Sequence, residues 1–137
     1  MSGGGGLGPE PLRRETRQRA AIAELLEGGD RFRSALEIYE DLIESGRRVG
    51  LTTVYRTLQR LAAAGEVDVI VADSGEALYR RCQVVDHHHH LVCRGCGLSV
   101  EIQSPEVETW AEKEARKHRF TDFSHKVELY GLCRHCS

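Results

Sequence analysis

Residues 51–81 read LTTVYRTLQRLAAAGEVDVIVADSGEALYRR, and how this stretch is parsed decides the fold of the first half of the chain. Val54, Leu58 and Leu61 recur at i, i+4 and i+7, the buried stripe of an amphipathic helix. Thr52 is placed to cap that helix and Gly65 to end it. From Glu66 the pattern changes to two short strands around a Ser74-Gly75 turn. Upstream, TRQRAAIAELLEGG (16–29) puts Ile22, Leu25 and Leu26 on one stripe before a double-glycine stop. SALEIYEDLIESG (34–46) opens with a capping box, Ser34 and Glu37, and carries Leu36, Tyr39, Leu42 and Ile43 as its apolar face. Three helices followed by a hairpin is the order of a winged helix-turn-helix.

With the 54/58/61 stripe turned inward, the third helix faces outward with Thr53, Tyr55, Arg56, Gln59 and Arg60. Arginine can grip a guanine edge with two hydrogen bonds and glutamine an adenine, while Tyr and Thr meet a thymine methyl or a phosphate. A solvated helix face is the plainer reading of such a stripe. Charge distribution favours DNA: from Ser45 to Gly65 there are four arginines (Arg47, Arg48, Arg56, Arg60) and no acid. A second basic cluster, Arg13, Arg14, Arg17 and Arg19, is broken only by Glu15, and Arg17 and Arg19 join the expected DNA contacts. The whole chain, 137 residues with a formal charge of −2, argues neither way on its own.

Beyond Arg81 the character changes. HHHHLVC (87–93) and LSVEIQ (98–103) read as strands, SPEVETWAEKEARKH (104–118) as a helix capped by Ser104 with Pro105 in its first turn, and FSHKVELYGLC (123–133) as a further strand. The expected fold class is therefore α+β. A flexible tail over 1–12 precedes a winged-helix DNA-binding domain over 13–80; a hinge over 81–86 leads to a small metal-binding α/β dimerisation domain over 87–137. No apolar run reaches the roughly 18–20 residues of a membrane span, and the start has no hydrophobic signal segment, so a cytoplasmic location is expected.

The five cysteines comprise two Cys-x-x-Cys doublets, Cys93/Cys96 and Cys133/Cys136, and a lone Cys82. Two doublets can supply four thiolates in tetrahedral array, the structural zinc arrangement; buried or redox-active thiols are the alternative. The 36 residues between the doublets (97–132) leave room for a helix and two strands, so the metal would tie the module's start to its end. Between hinge and first doublet lie four consecutive histidines. Side chains alternate along a strand, so His87 and His89 share one face while His88 and His90 share the other. Residues i and i+2 lie ~6.6–6.8 Å apart at Cα, close enough for two imidazoles to converge on one ion. Four adjacent histidines can thus serve two sites back to back. Cys82 and Asp68 are candidates to complete one, Glu108 and His125 the other, although spacing alone does not fix the assignment.

GLTTVYRTLQRLAAAGEV, DHHHHLVCRGCG and the terminal CRHC together resemble the ferric uptake regulator family of bacterial metal-dependent repressors, over about Arg13 to Ser137. Within it the chain is most similar to the zinc-sensing branch of actinobacterial type. The resemblance implies a homodimer, with an N-terminal winged helix and a C-terminal α/β dimerisation domain, that binds double-stranded inverted-repeat operator DNA when metal-loaded. It implies two to three Zn(2+) per subunit. Cys93, Cys96, Cys133 and Cys136 match the structural zinc site. Asp68, Cys82, His88 and His90 match the regulatory site, and His87, His89, Glu108 and His125 a further site. Tyr55 and Arg56 match positions that reach the operator. A thiolate with two imidazoles and a carboxylate suits zinc better than iron or manganese, which favour oxygen and nitrogen at higher coordination. An iron, manganese or peroxide sensor of the same family is the alternative. A zinc enzyme or metal buffer is the alternative of another class; the chain has neither a His-x-Glu nor a His-Glu-x-x-His signature, and no catalytic residue, small-molecule substrate or membrane partner is expected.

Overall fold

The computed structural model describes residues 10–81 and 88–137. The chain forms two compact units, Met1–Gln83 and Val84–Ser137.

The first unit contains helices α1 (Glu10–Leu26), α2 (Ala35–Glu44) and α3 (Leu51–Ala63), and strands β1 (Arg33–Ser34), β2 (Asp68–Val71) and β3 (Ala77–Arg80). Helix α1 starts at Glu10, inside the stretch expected to be tail. Pro11 is tolerated there because a first-turn N–H has no intrahelical acceptor to lose. The capping box of α2 forms as expected: Ser34 Oγ accepts from the Glu37 N–H at 3.1 Å, and the Glu37 carboxylate accepts from the Ser34 N–H at 3.0 Å. Its buried stripe is Ala35, Ile38 and Leu42, whereas Leu36 and Ile43 of the expected face are exposed. At 3.6 residues per turn, Ile38 and Leu42 align with Ala35, and Leu36 falls to the flank. Thr52 does not cap α3. Gly50 holds the N-cap position without a side-chain bond, and Thr52 lies one residue inside the helix. Gly65, at φ +75°, closes α3 by donating to the Ala62 carbonyl at 3.0 Å.

The hairpin forms around Gly75 (φ +88°), with Asp68 opposite Arg80 and Val71 opposite Ala77. A two-residue strand that the sequence pattern does not predict, β1, adds to the far side of β3, giving the order β1-β3-β2. Ile22, Leu26, Ile38, Leu42, Val54 and Leu58 form the core, with Leu25 and Leu61 packed partly against it, so the 54/58/61 stripe does face inward.

The second unit holds β4 (His89–Cys93), β5 (Ser99–Ile102), α4 (Pro105–Lys117) and β6 (Glu128–Gly131). Strand β4 is central, antiparallel to β5 and parallel to β6. Ser104 caps α4 by accepting from the Val107 N–H at 3.4 Å. The last strand is shorter than expected. Residues 123–127 precede it, so His125 sits on a loop rather than on the strand, after Asp122 has turned the chain at φ +52°. Val127 still accepts the His90 N–H at 3.3 Å, which holds that loop against β4. Among the described residues of this unit, only Val92 and Cys93 are buried apolar side chains; the other buried ones are His89, His90 and Ser99, and α4 buries none. Polar side chains thus make up most of the few buried residues described in this unit.

Candidate metal centres

Strand β4 ends at Cys93, and the chain turns back at Gly97 (φ +79°), whose N–H donates to the Cys93 carbonyl at 3.0 Å. The second doublet follows β6 in a similar tight turn, with Cys136 and Ser137 donating to the Cys133 carbonyl at 3.0 and 2.9 Å. Parallel pairing of β4 with β6 carries the two turns to one end of the sheet, where the Arg94 N–H donates to the Gly131 carbonyl at 2.8 Å. All four sulfurs come within 4.8 Å of one another as thiols rather than disulfides. Cys96 and Cys133 lie 3.8 Å apart at Sγ. Tetrahedral zinc with Zn–S near 2.3 Å requires an edge of about 3.8 Å, so the donors fit that ion.

Electrostatics point the same way. N–H groups of Cys133 and Gly95 each donate to Cys93 Sγ at 3.3 Å. Led by the Cys133 backbone, such hydrogen bonds lower the Cys93 thiol to about 6. Hydrogen bonds to the neighbouring sulfurs, Cys133 first, push Cys136 up to about 12. One thiolate is stabilised, while a full set of four needs a cation among them. Gly95, which the sequence pattern does not single out, completes the site. A Cβ there would lie 3.0 Å from Cys136 Sγ and 3.2 Å from its Cβ, so any larger residue would press on the Cys136 side chain. The single sequence clue is the residue type inside Cys-Arg-Gly-Cys.

A second donor set lies around Glu108. His89 Nε2 meets Glu108 Oε1 at 2.6 Å, and His125 Nε2 meets Glu108 Oε2 at 3.0 Å. The three side chains offer donor atoms within 4.8 Å of one another. Placing Glu108 one turn into α4 and His125 on the loop before β6 brings both to buried His89. Phe123, also unmarked by any sequence motif, lies nearly parallel to His125, with ring centroids 6.3 Å apart and 19° between the planes. Two imidazoles and a carboxylate can hold a divalent ion with room for a fourth donor. The fourth residue expected here, His87, lies outside the described residues.

His90 follows His89 on β4 and leaves the opposite face. His88 precedes the strand, and its ring meets that of His90 edge-on with centroids 4.8 Å apart. The two rings converge, as alternation predicts. Asp68 opens β2 in the first unit, half-buried, and Cys82 lies outside the described residues.

On α3, Tyr55, Arg56, Gln59 and Arg60 are exposed and Thr53 is half-buried, opposite the Val54/Leu58 stripe. Arg17 and Arg19 are exposed on α1. The expected outward face exists.

Residues 12–130 match the family model described as ferric uptake regulator family. The chain is 54% identical over 124 residues to a zinc uptake regulation protein of Mycobacterium tuberculosis, covering 90% of this chain and 94% of that one. The crystal structure of FurB from M. tuberculosis, a zinc uptake regulator, superposes with a TM-score of 0.56 at 54% identity, covering 91% of this chain and 96% of that one. A zinc uptake regulator complexed with zinc and DNA superposes with a TM-score of 0.68 at 28% identity, covering 87% of this chain and 80% of that one.

Proposed function

The chain belongs to the ferric uptake regulator family, and from that membership we propose that it is a zinc-dependent transcriptional repressor, a regulator rather than an enzyme, that binds inverted-repeat operator DNA as a homodimer and controls zinc-homeostasis genes. The observation that carries this reading is the division of labour along β4. Its histidines diverge to two faces, its last residue enters a four-thiol cluster, and the same chain carries an outward polar face on α3. The zinc uptake regulation protein of M. tuberculosis, 54% identical, supports zinc as the sensed metal. Cys82 supports it chemically, because a thiolate in the sensing set favours zinc over iron or manganese.

In this reading Cys93, Cys96, Cys133 and Cys136 hold a structural zinc, and Asp68, Cys82, His88 and His90 hold the regulatory one. His89, Glu108 and His125, with His87, hold a third, for two to three ions per subunit. Bound zinc supplies a divalent charge that neutralises the thiolates and carboxylates gathered around it. The expected hinge, 81–86, lies beyond Arg81 outside the described residues, and in this reading it joins a DNA-binding domain, 13–80, to a dimerisation domain, 87–137. Asp68 comes from the former and the two histidines from the latter, so occupying the set selects one domain arrangement. That arrangement presents the α3 helices of a dimer to successive major grooves, about 34–36 Å apart. Any arrangement that DNA binding has to select without zinc subtracts its ordering cost from the binding free energy. Dimerisation is supported by the thin core of the second unit and by Leu91, Val100, Leu129 and Leu132, all exposed in the single chain. No helix among the described residues is long and apolar enough to cross a membrane, in keeping with a cytoplasmic regulator.

The experiment is operator binding measured against buffered free zinc and repeated with iron and manganese. Binding that rises with zinc alone supports the reading. Binding that follows iron or manganese assigns the chain to another sensor of the family.

A further inference from the structure

We propose that a groove between the first half of α1 and the α2–α3 turn is a clamp for a backbone phosphate of duplex DNA, separate from the base-reading face of α3. This rests on the DNA-binding reading above and adds residues to it. The groove encloses about 410 Å³, and Arg14, Arg17, Arg47 and Arg48 line it. Its floor is apolar, formed by Ala21 and Val49, both buried. Gln18 Nε2 donates to the Arg48 carbonyl at 3.2 Å and ties the turn to α1, while the Arg47 N–H donates to the Leu42 carbonyl at 2.9 Å. Two backbone anchors thus hold the arginine pair in place.

Chemistry selects the ligand. The four arginines that line the groove carry guanidinium groups, which bind phosphate oxygens in bidentate fashion. Arg47 meets Glu24 at 3.5 Å, with both side chains largely exposed. An exposed ion pair of this kind is weak enough for a phosphate to displace. The groove is open to solvent, unlike pockets that bury most of a small molecule. A passing strand fits it better than an enclosed metabolite. Position supports the same ligand: Val49 leads directly to Gly50, the N-cap of α3. A helix entering the major groove with its N-terminal end toward the bases has backbone phosphates flanking that end.

The test uses full-length, zinc-loaded protein, an inverted-repeat duplex selected by the wild type, and a shuffled duplex of equal length. Dissociation constants are measured over a range of salt for wild type, Arg47→Gln/Arg48→Gln, Arg47→Lys/Arg48→Lys and Gln59→Ala. The Gln pair is expected to weaken both duplexes by the same factor and to flatten the logarithmic salt slope by about 0.9 for each phosphate that the protein no longer neutralises. The Lys pair restores the slope, and Gln59→Ala lowers the preference for the selected duplex while leaving the slope unchanged. Salt slopes equal to wild type in both the Gln and Lys pairs would overturn the clamp and leave the repressor reading intact. So would inorganic phosphate that raises the melting temperature of wild type but not of the Gln pair, if the DNA slopes do not change. A wild type that binds no duplex at any zinc level would instead overturn the repressor reading, and the clamp with it.

Discussion

At Gly95 the four-thiol site depends on an atom that is not there. A methyl placed 3.0 Å from Cys136 Sγ forces that sulfur outward, and the sulfurs need to lie about 3.8 Å apart around zinc. Gly95→Ala is expected to cut zinc affinity at this site on the order of 10-fold, read by competition with a chromogenic chelator. Cys82→Ser should behave differently. It is expected to leave a folded dimer with its structural zinc while abolishing zinc-dependent operator binding, seen as a zinc titration that no longer shifts the duplex. Normal zinc control in that variant would remove Cys82 from the sensing set. The sequence announces the cysteines because metal doublets have a fixed spacing. Beyond the residue type inside Cys-Arg-Gly-Cys it says nothing of Gly95, whose role is set by the second doublet, distant in the chain and adjacent in the folded site.

Among the elements, α2 and β4 are legible for the same reason: each obeys a local rule. Ser34 and Glu37 cap each other through neighbouring backbone groups, and the histidines of β4 separate by the two-residue period of a strand. Thr52 and His125 depart from expectation where tertiary context wins. Gly50 starts α3 earlier than Thr52 would, and the loop before β6, turned at Asp122, carries His125 to Glu108. Strand β1 is illegible because two residues carry no periodicity and form only by pairing with β3. Caps supply a matched test. Ser34→Ala should lower the stability of the first unit by about 1 kcal/mol in denaturant unfolding, and Thr52→Ala, which removes no cap, by much less. Equal losses would place the cap at Thr52 after all. Neither change should alter zinc content.

Across the whole molecule, the two units divide their sources of stability. The first has an apolar core running from Ile22 to Leu58, whereas the buried residues described in the second are only Val92, Cys93, His89, His90 and Ser99. A unit of that size with so little apolar burial needs a metal or a partner. A strong chelator is therefore expected to unfold the second unit while the first keeps its helices, giving two transitions by circular dichroism and partial restoration on adding zinc back. Cys136, pushed up to about 12 in the metal-free cluster, keeps its proton at neutral pH, so zinc uptake releases protons and tightens as pH rises.

The proposal that Asp68, Cys82, His88 and His90 hold the sensed zinc requires coupling between that set and the operator, and coupling is reciprocal. A switch from 1:99 to 99:1 needs about 5.5 kcal/mol of preference for the DNA-binding state. The direct measurement is zinc affinity at the regulatory site, by competition titration of protein whose four-thiol site is already filled, with and without saturating operator duplex. Operator should tighten zinc by the same factor that zinc tightens operator. Equal zinc affinities in the two titrations would contradict zinc-controlled repression.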